Sequence, residues 1–176
     1  MNLAKFRALI LDQRLLVLFD FWHQARGTRL MPDWTDLKPE FFAPALPHAW
    51  VWQIDAAGEL RLRIVGESVM QMMELNLKGK RPYDLYDAEQ AARLMVRLRQ
   101  IMDGPCANFG MGEVHAGDQP IGLGQRIGLP FLDQRTGRLG VIGGSVVNKR
   151  VKSDPQGSMA IYSLSREDEE TYLPLR

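Results

Sequence analysis

The spacing of apolar positions changes several times along the chain, and each change marks an element. Over residues 9–25, Leu11, Leu15, Leu18, Phe19 and Trp22 recur at three- and four-residue intervals, which predicts an amphipathic helix. Gly27, directly after Arg26, supplies its stop. Leu16 and Phe21 add apolar surface on a second side, more than one contact face requires. Residues 28–47 carry Pro32, Pro39, Pro44 and Pro47 and predict a surface connector with one short turn around residues 40–45. A two-residue period follows. Trp50, Trp52 and Ile54 share one face of a strand over 48–55, and Leu60, Leu62 and Ile64 share one face of a strand over 59–65, the two joined through Ala56-Ala57-Gly58. Arg61 and Arg63 alternate with the second set, so they belong to the opposite face, either covered or solvated, or in contact with an anion or a partner protein.

Beyond Gly66 the pattern predicts a short Met-rich helix over 67–74, a break at Gly79 and Pro82, and a longer helix over 88–103 capped by Asp87. That helix turns Ala91, Leu94, Met95, Leu98, Ile101 and Met102 inward and leaves Arg93, Arg97 and Arg99 to water. Three strands remain, near 106–115, 120–132 and 138–149, joined through Gly117-Asp118 and through residues 133–137. Hairpin-length connections with no intervening helix make neighbouring strands antiparallel. The expected architecture is therefore α+β: a five-stranded antiparallel sheet with flanking helices and an N-terminal helix as a cap. The expected divisions are a cap over 1–27, the main domain over 28–150 and a polar, loosely attached extension over 151–176 with an acidic run at 167–170.

Composition narrows the function. With 45% apolar and 24% charged residues the chain is of ordinary globular type, and 22 basic against 21 acidic residues leave no field that would draw in nucleic acid or an anionic membrane. Lys5, Arg7, Asp12, Arg14 and Asp20 interrupt the apolar N-terminus, so it holds neither a secretory core nor a spanning segment, and the expected location is cytoplasmic. Cys106 is the single cysteine, which excludes an internal disulfide and any Cys-x-x-Cys site. His23, His48 and His115 are too scattered to suggest a metal site. No Ser-His-Asp order, His-Glu-x-x-His run or phosphate loop is present, and the Gly122, Gly124, Gly128 series has the wrong spacing for a nucleotide loop and lies within a strand.

Several short matches occur in order. Phe21-Trp22 with Arg26-Gly27 is followed by Pro32, Asp36 and Pro39 in a Pro-x-x-x-Asp-x-x-Pro segment, then by the hairpin ending at Gly66, by Gly79 with Asp84-Leu85, and by Leu129-Pro130-Phe131. Over about residues 15–150 this order resembles the single-domain PAS proteins common in alphaproteobacteria. The resemblance implies a sensory or protein-interaction module in bacterial signalling. With no kinase, cyclase or DNA-binding motif in the sequence, its output is expected to act in trans on a signalling partner. It also implies that any ligand lies between sheet and helices, where Trp50, Trp52, Leu62, Met70, Met73, Phe109, Met111, Ile127 and Leu129 could enclose a small apolar molecule. Haem-binding relatives place an axial His, and flavin photoreceptors a reactive Cys, on the helical stretch after the second strand. Neither stands between Glu67 and Asp103, so no cofactor is expected. In PAS-like domains the cap helix often pairs with its copy, which points to a homodimer through the N-terminal helix. The rival reading is a small cone-shaped α+β enzyme of isomerase or hydratase type, which would need a carboxylate of raised pKa inside the cavity.

Overall fold

The computed structural model describes residues 1–73, 77–116, 119–149, 163–164 and 169–175. The N-terminal region forms two helices rather than one, α1 (Leu3–Leu9) and α2 (Gln13–Arg26). Two sets of hydrogen bonds hold the break. The Asp12 carboxylate accepts from the Arg14 amide at 2.9 Å as the cap of α2, while the Leu11 and Asp12 amides donate to Gln125 Oε1 at 3.0 and 3.2 Å. The turn resets the helical phase, so Leu11, expected inward, is 69% exposed, whereas Leu15, Leu18, Phe19 and Trp22 are fully buried.

The proline connector holds two 3-10 segments, Trp34–Asp36 and Pro39–His48. Asp33 caps the first by accepting from the Thr35 amide at 2.8 Å, and its second oxygen accepts from the Gln134 amide at 2.8 Å. The connector is thereby tied to the sheet, and Trp34 rests on Phe131 with ring centres 5.0 Å apart.

The strands are β1 (Ala49–Ile54), β2 (Leu60–Val65), β3 (Cys106–Ala116), β4 (Gln119–Asp133), β5 (Arg138–Lys149), β6 (Ser163–Leu164) and β7 (Glu169–Pro174). At the first hairpin, Asp55 Oδ1 accepts from the Ala57 and Glu59 amides, and Gly58 sits at φ 79°, the conformation that favours glycine. The sheet runs β2-β1-β5-β4-β3, all neighbours antiparallel, as expected for its five central strands. It is larger than expected, because β6 and β7 both pair with β3. The extension over 151–176 thus returns to the sheet as β7, laddered residue by residue from Cys106–Pro174 to Met111–Glu169. Leu173 is buried and the Leu175 amide donates to the Pro105 carbonyl at 2.9 Å. Polar composition hid this strand, which needs only one apolar anchor because it adds to an existing edge. The turn expected at Gly117-Asp118 and the last residue of the helix expected over 67–74 lie outside the described residues.

Three helices follow β2: α3 (Glu67–Met73), α4 (Pro82–Leu85) and α5 (Ala88–Asp103). Asp87 caps α5 by accepting from the Gln90 amide at 2.8 Å. The sheet separates two apolar clusters. One packs α1, α2 and the connector against Phe109, Ile127, Leu129 and Phe131; the other packs α5 and its neighbours against Trp52, Leu60, Leu62 and Val141.

Candidate functional site

The register of the strands decides which residues meet on the α5 face. Trp50 pairs with Gly143, Gly143 with Gly128, Gly128 with Asn108 and Asn108 with Tyr172, forming one row across the sheet. The Trp50 indole lies flat along this row. A Cβ added at Gly143 would come within 2.3 Å of the ring, and one at Gly128 within 2.9 Å of Ile101 Cδ1. The Trp50 indole N–H donates to Ser145 Oγ at 2.9 Å, which fixes the ring in place. These glycines make room for bulky neighbours, the Trp50 ring and Ile101.

Two strand positions away runs a second row, Ser145–Arg126–Gly110–Glu170. Gly110 has no side chain, so the Arg126 guanidinium lies over it, 3.1 to 3.3 Å from where a Cβ would be, and reaches Glu170 on the next strand. Arg97 comes down from α5 and donates through Nε to the same Glu170 oxygen at 2.6 Å, and the Tyr172 hydroxyl donates to the other oxygen at 2.6 Å. The side chains of Arg97, Arg126 and Glu170 are 19%, 14% and 21% exposed, so the cluster is largely withdrawn from water. Burial pushes the Glu170 carboxyl upward, but the charges of Arg126 and Arg97 outweigh it and hold the group below the usual carboxylate range. Burial and the bond to Glu170 raise the Tyr172 phenol well above its ordinary value, and burial raises that of Tyr86.

Between these rows and α5 lies a cavity of about 160 Å³. Its apolar wall includes Trp50, Trp52, Leu62, Leu94, Leu98 and Ile101, and its polar side includes Tyr86, Arg97, Asn108, Arg126 and Ser145. Of the nine residues expected around a ligand, Trp50, Trp52 and Leu62 line the cavity. Met70 packs in the same cluster without lining it. The Met73 side chain lies outside the described residues. Phe109, Met111, Ile127 and Leu129 sit on the other face of the sheet, against the cap helices, which corrects their placement. The reason is pleat parity: on β3 and β4 the odd positions face α2 and the even ones face α5. Arg97, expected in water, points into the cluster instead, because it stands three residues after Leu94 and next to Leu98 at the border of the apolar stripe. The signal that could have found Arg126 and Asn108 is their shared parity with the glycines beneath Trp50.

Other candidates are accounted for within the fold. Arg61 pairs with Asp55 and Glu59 at 2.7 Å each, and Arg63 donates to Gln53 Oε1 at 2.6 Å and lies over the Trp34 ring at 4.6 Å. Cys106 is buried, and burial raises its thiol pKa, which disfavours the reactive thiolate. Among the described residues no three metal-binding side chains converge, and no helix is long and apolar enough to cross a membrane.

An antiparallel sheet with flanking helices is what the sequence resemblance implied; the strand order 2-1-5-4-3 and the small cavity on the α5 face are what the structure adds. A family model described as a PAS domain matches residues 12–142 of the 176. The chain belongs to the PAS domain family. The match takes in α2, β1 to β4, α5 and the first part of β5, so most of the cavity lining and both arginines fall within the matched residues, while Ser145, Glu170 and Tyr172 lie beyond them. No curated protein and no solved structure shows significant similarity to the chain. Membership supports a sensory or interaction module in general.

Proposed function

We propose that this PAS domain is a binding module that takes a small, mainly apolar molecule in the cavity beneath α5 and passes its occupancy to a partner protein. The observation that carries the reading is the cavity itself. A void of roughly 150 Å³ holds one benzene, whereas drug-sized ligands occupy roughly 300 Å³ or more, so about 160 Å³ suits a compact ligand and is too small for a haem or flavin. The enzymatic alternative receives no support from the electrostatics, since Glu170, the carboxylate bonded to the cavity arginines, is pulled down rather than raised and is poorly suited as a general base near neutral pH.

Titrating the full chain with toluene, followed by amide and indole N–H resonances, tests the reading. Saturable shifts centred on Trp50, Leu98 and Ser145 are expected, with loss of binding in Leu94→Phe, which fills the cavity. Absence of saturable binding would overturn it. Self-association belongs to the same proposal, moved from the N-terminal helix to the turn before α2 and to the connector. Phe21 stacks on Phe41 and Phe42 of its own chain, with ring centres 5.5 and 5.3 Å apart, so a dimer would form through the exposed Leu11, Phe41 and Leu46. Light scattering should then report a dimer that Phe41→Glu dissociates; a monomeric wild type at tens of micromolar would end that part of the proposal.

A further inference from the structure

The polar end of the cavity is built unlike its walls. Arg97 from α5 and Arg126 from β4 line it from above and below, and both turn their guanidinium groups to one oxygen of Glu170. Gly110 lies between Arg126 and Glu170 in the register, and with no side chain there the Arg126 guanidinium passes close over β3 on its way to Glu170. The two cations therefore belong to the central sheet and its covering helix, and the carboxylate that joins them is delivered by β7. Guanidinium groups select planar oxyanions, and in a site withdrawn from water the preference is strong.

We propose that Arg97 and Arg126 form a carboxylate-binding site at the cavity mouth, with Glu170 of β7 as its resident occupant, and that a ligand bearing one carboxylate on a compact apolar body displaces the Glu170 side chain. The inference rests on the cavity reading above and names the ligand class: monocarboxylic acids of about benzoate size. The acid group takes the place of the Glu170 carboxylate, and its body lies along Trp50, Leu94 and Ile101. Displacement strips the N-terminal end of β7 of its two ion pairs, while Leu173 stays buried and Leu175 stays bonded to Pro105. Occupancy is thus converted into loosening of the strand end at Glu169-Glu170, on the outer edge of the sheet. A ligand without the acid fills the cavity and leaves β7 in place.

Calorimetric titration of the full chain with benzoate and with toluene, in wild type and in Glu170→Gln, tests this. Benzoate is expected to bind Glu170→Gln at least about tenfold more tightly than wild type, a coupling of ordinary size, while toluene affinity changes by less than about twofold. Arg97→Gln should abolish the preference for benzoate over toluene. Hydrogen exchange on the wild type needs no substitution: benzoate should speed exchange at the Glu170 and Thr171 amides, and toluene should not. Equal benzoate affinity in wild type and Glu170→Gln, or no change in β7 exchange at saturating benzoate, overturns the proposal. Toluene binding without benzoate binding sinks the acid site and leaves the cavity reading standing, whereas failure of both probes removes both.

Discussion

The two faces of the sheet solve the same packing problem in opposite ways. Toward the cap, Phe6, Leu15, Leu18, Phe19 and Trp22 are fully buried against Ile127, Leu129 and Phe131, and the Trp22 indole N–H donates to the Pro130 carbonyl at 2.8 Å. Toward α5, one indole lies over glycines, an ion cluster closes one end, and a cavity of about 160 Å³ remains. Large side chains projecting from both layers meet across the first space and are almost wholly buried. In the second, glycine and arginine on β4 and β5 withhold the volume that would fill it. A run of big apolar residues on a strand therefore marks the finished core, and the site belongs to the neighbouring parity, where side chains are small or polar.

That contrast makes unequal demands on stability. Trp22→Ala removes a fully buried ring and its hydrogen bond from the filled face and should cost about 3–5 kcal/mol, measured as a lower urea midpoint. Leu94→Ala on the open face only enlarges an existing void and should cost less than about 2 kcal/mol. Comparable losses for the two would erase the distinction between the faces.

Neighbouring glycines on β5 sharpen it further. A methyl at Gly143 meets the Trp50 ring and the Ile127 carbonyl, both at 2.3 Å, and Gly143→Ala should cost about 1–3 kcal/mol and alter tryptophan emission as Trp50 is pushed off its row. At Gly144 the nearest atom is Leu15 Cδ2 at 2.7 Å, the movable end of a side chain, so Gly144→Ala should cost less. A larger effect at 144 than at 143 would show that the cap face is the less adaptable one.

Acidification should cost stability in two smaller stages. Burial, with help from Arg26 and Arg14, lowers the pKa of His23 and His48 below the usual 6.5, so the unfolded state binds protons first and stability falls as pH drops through about 6.5. The Glu170 carboxyl is lowered from 4.5, so its contribution is complete above that value and disappears as pH falls through its lower folded value. In stability-versus-pH curves, His23→Gln should flatten the upper stage and Glu170→Gln the lower one. A single stage removed by either substitution would mean the groups titrate together.

The elements were legible because their signals are local: Gly27, Asp87, Asp55 to Gly58, and the two-residue alternation in β1 and β2. Three features were not. The α1–α2 break depends on Gln125, more than a hundred residues away, meeting the Leu11 and Asp12 amides. Strand β7 exists because β3 offers an edge, which its acidic sequence does not announce. Four of the nine expected lining residues, Phe109, Met111, Ile127 and Leu129, fall on the opposite face, since alternation defines two faces on β3 and β4 without saying which one meets α5. Register with Trp50 settles that, and register is a long-range property.

The proposal that one face of the sheet takes a ligand while the other is packed core can be read from a reporter on each: the Trp22 indole N–H toward the cap and the Trp50 indole N–H beside the cavity. A toluene titration observed at these two resonances tests the claim directly. A saturable shift at Trp50 with Trp22 unmoved is expected; equal shifts at both, or a shift at Trp22 alone, would overturn the distinction between the faces.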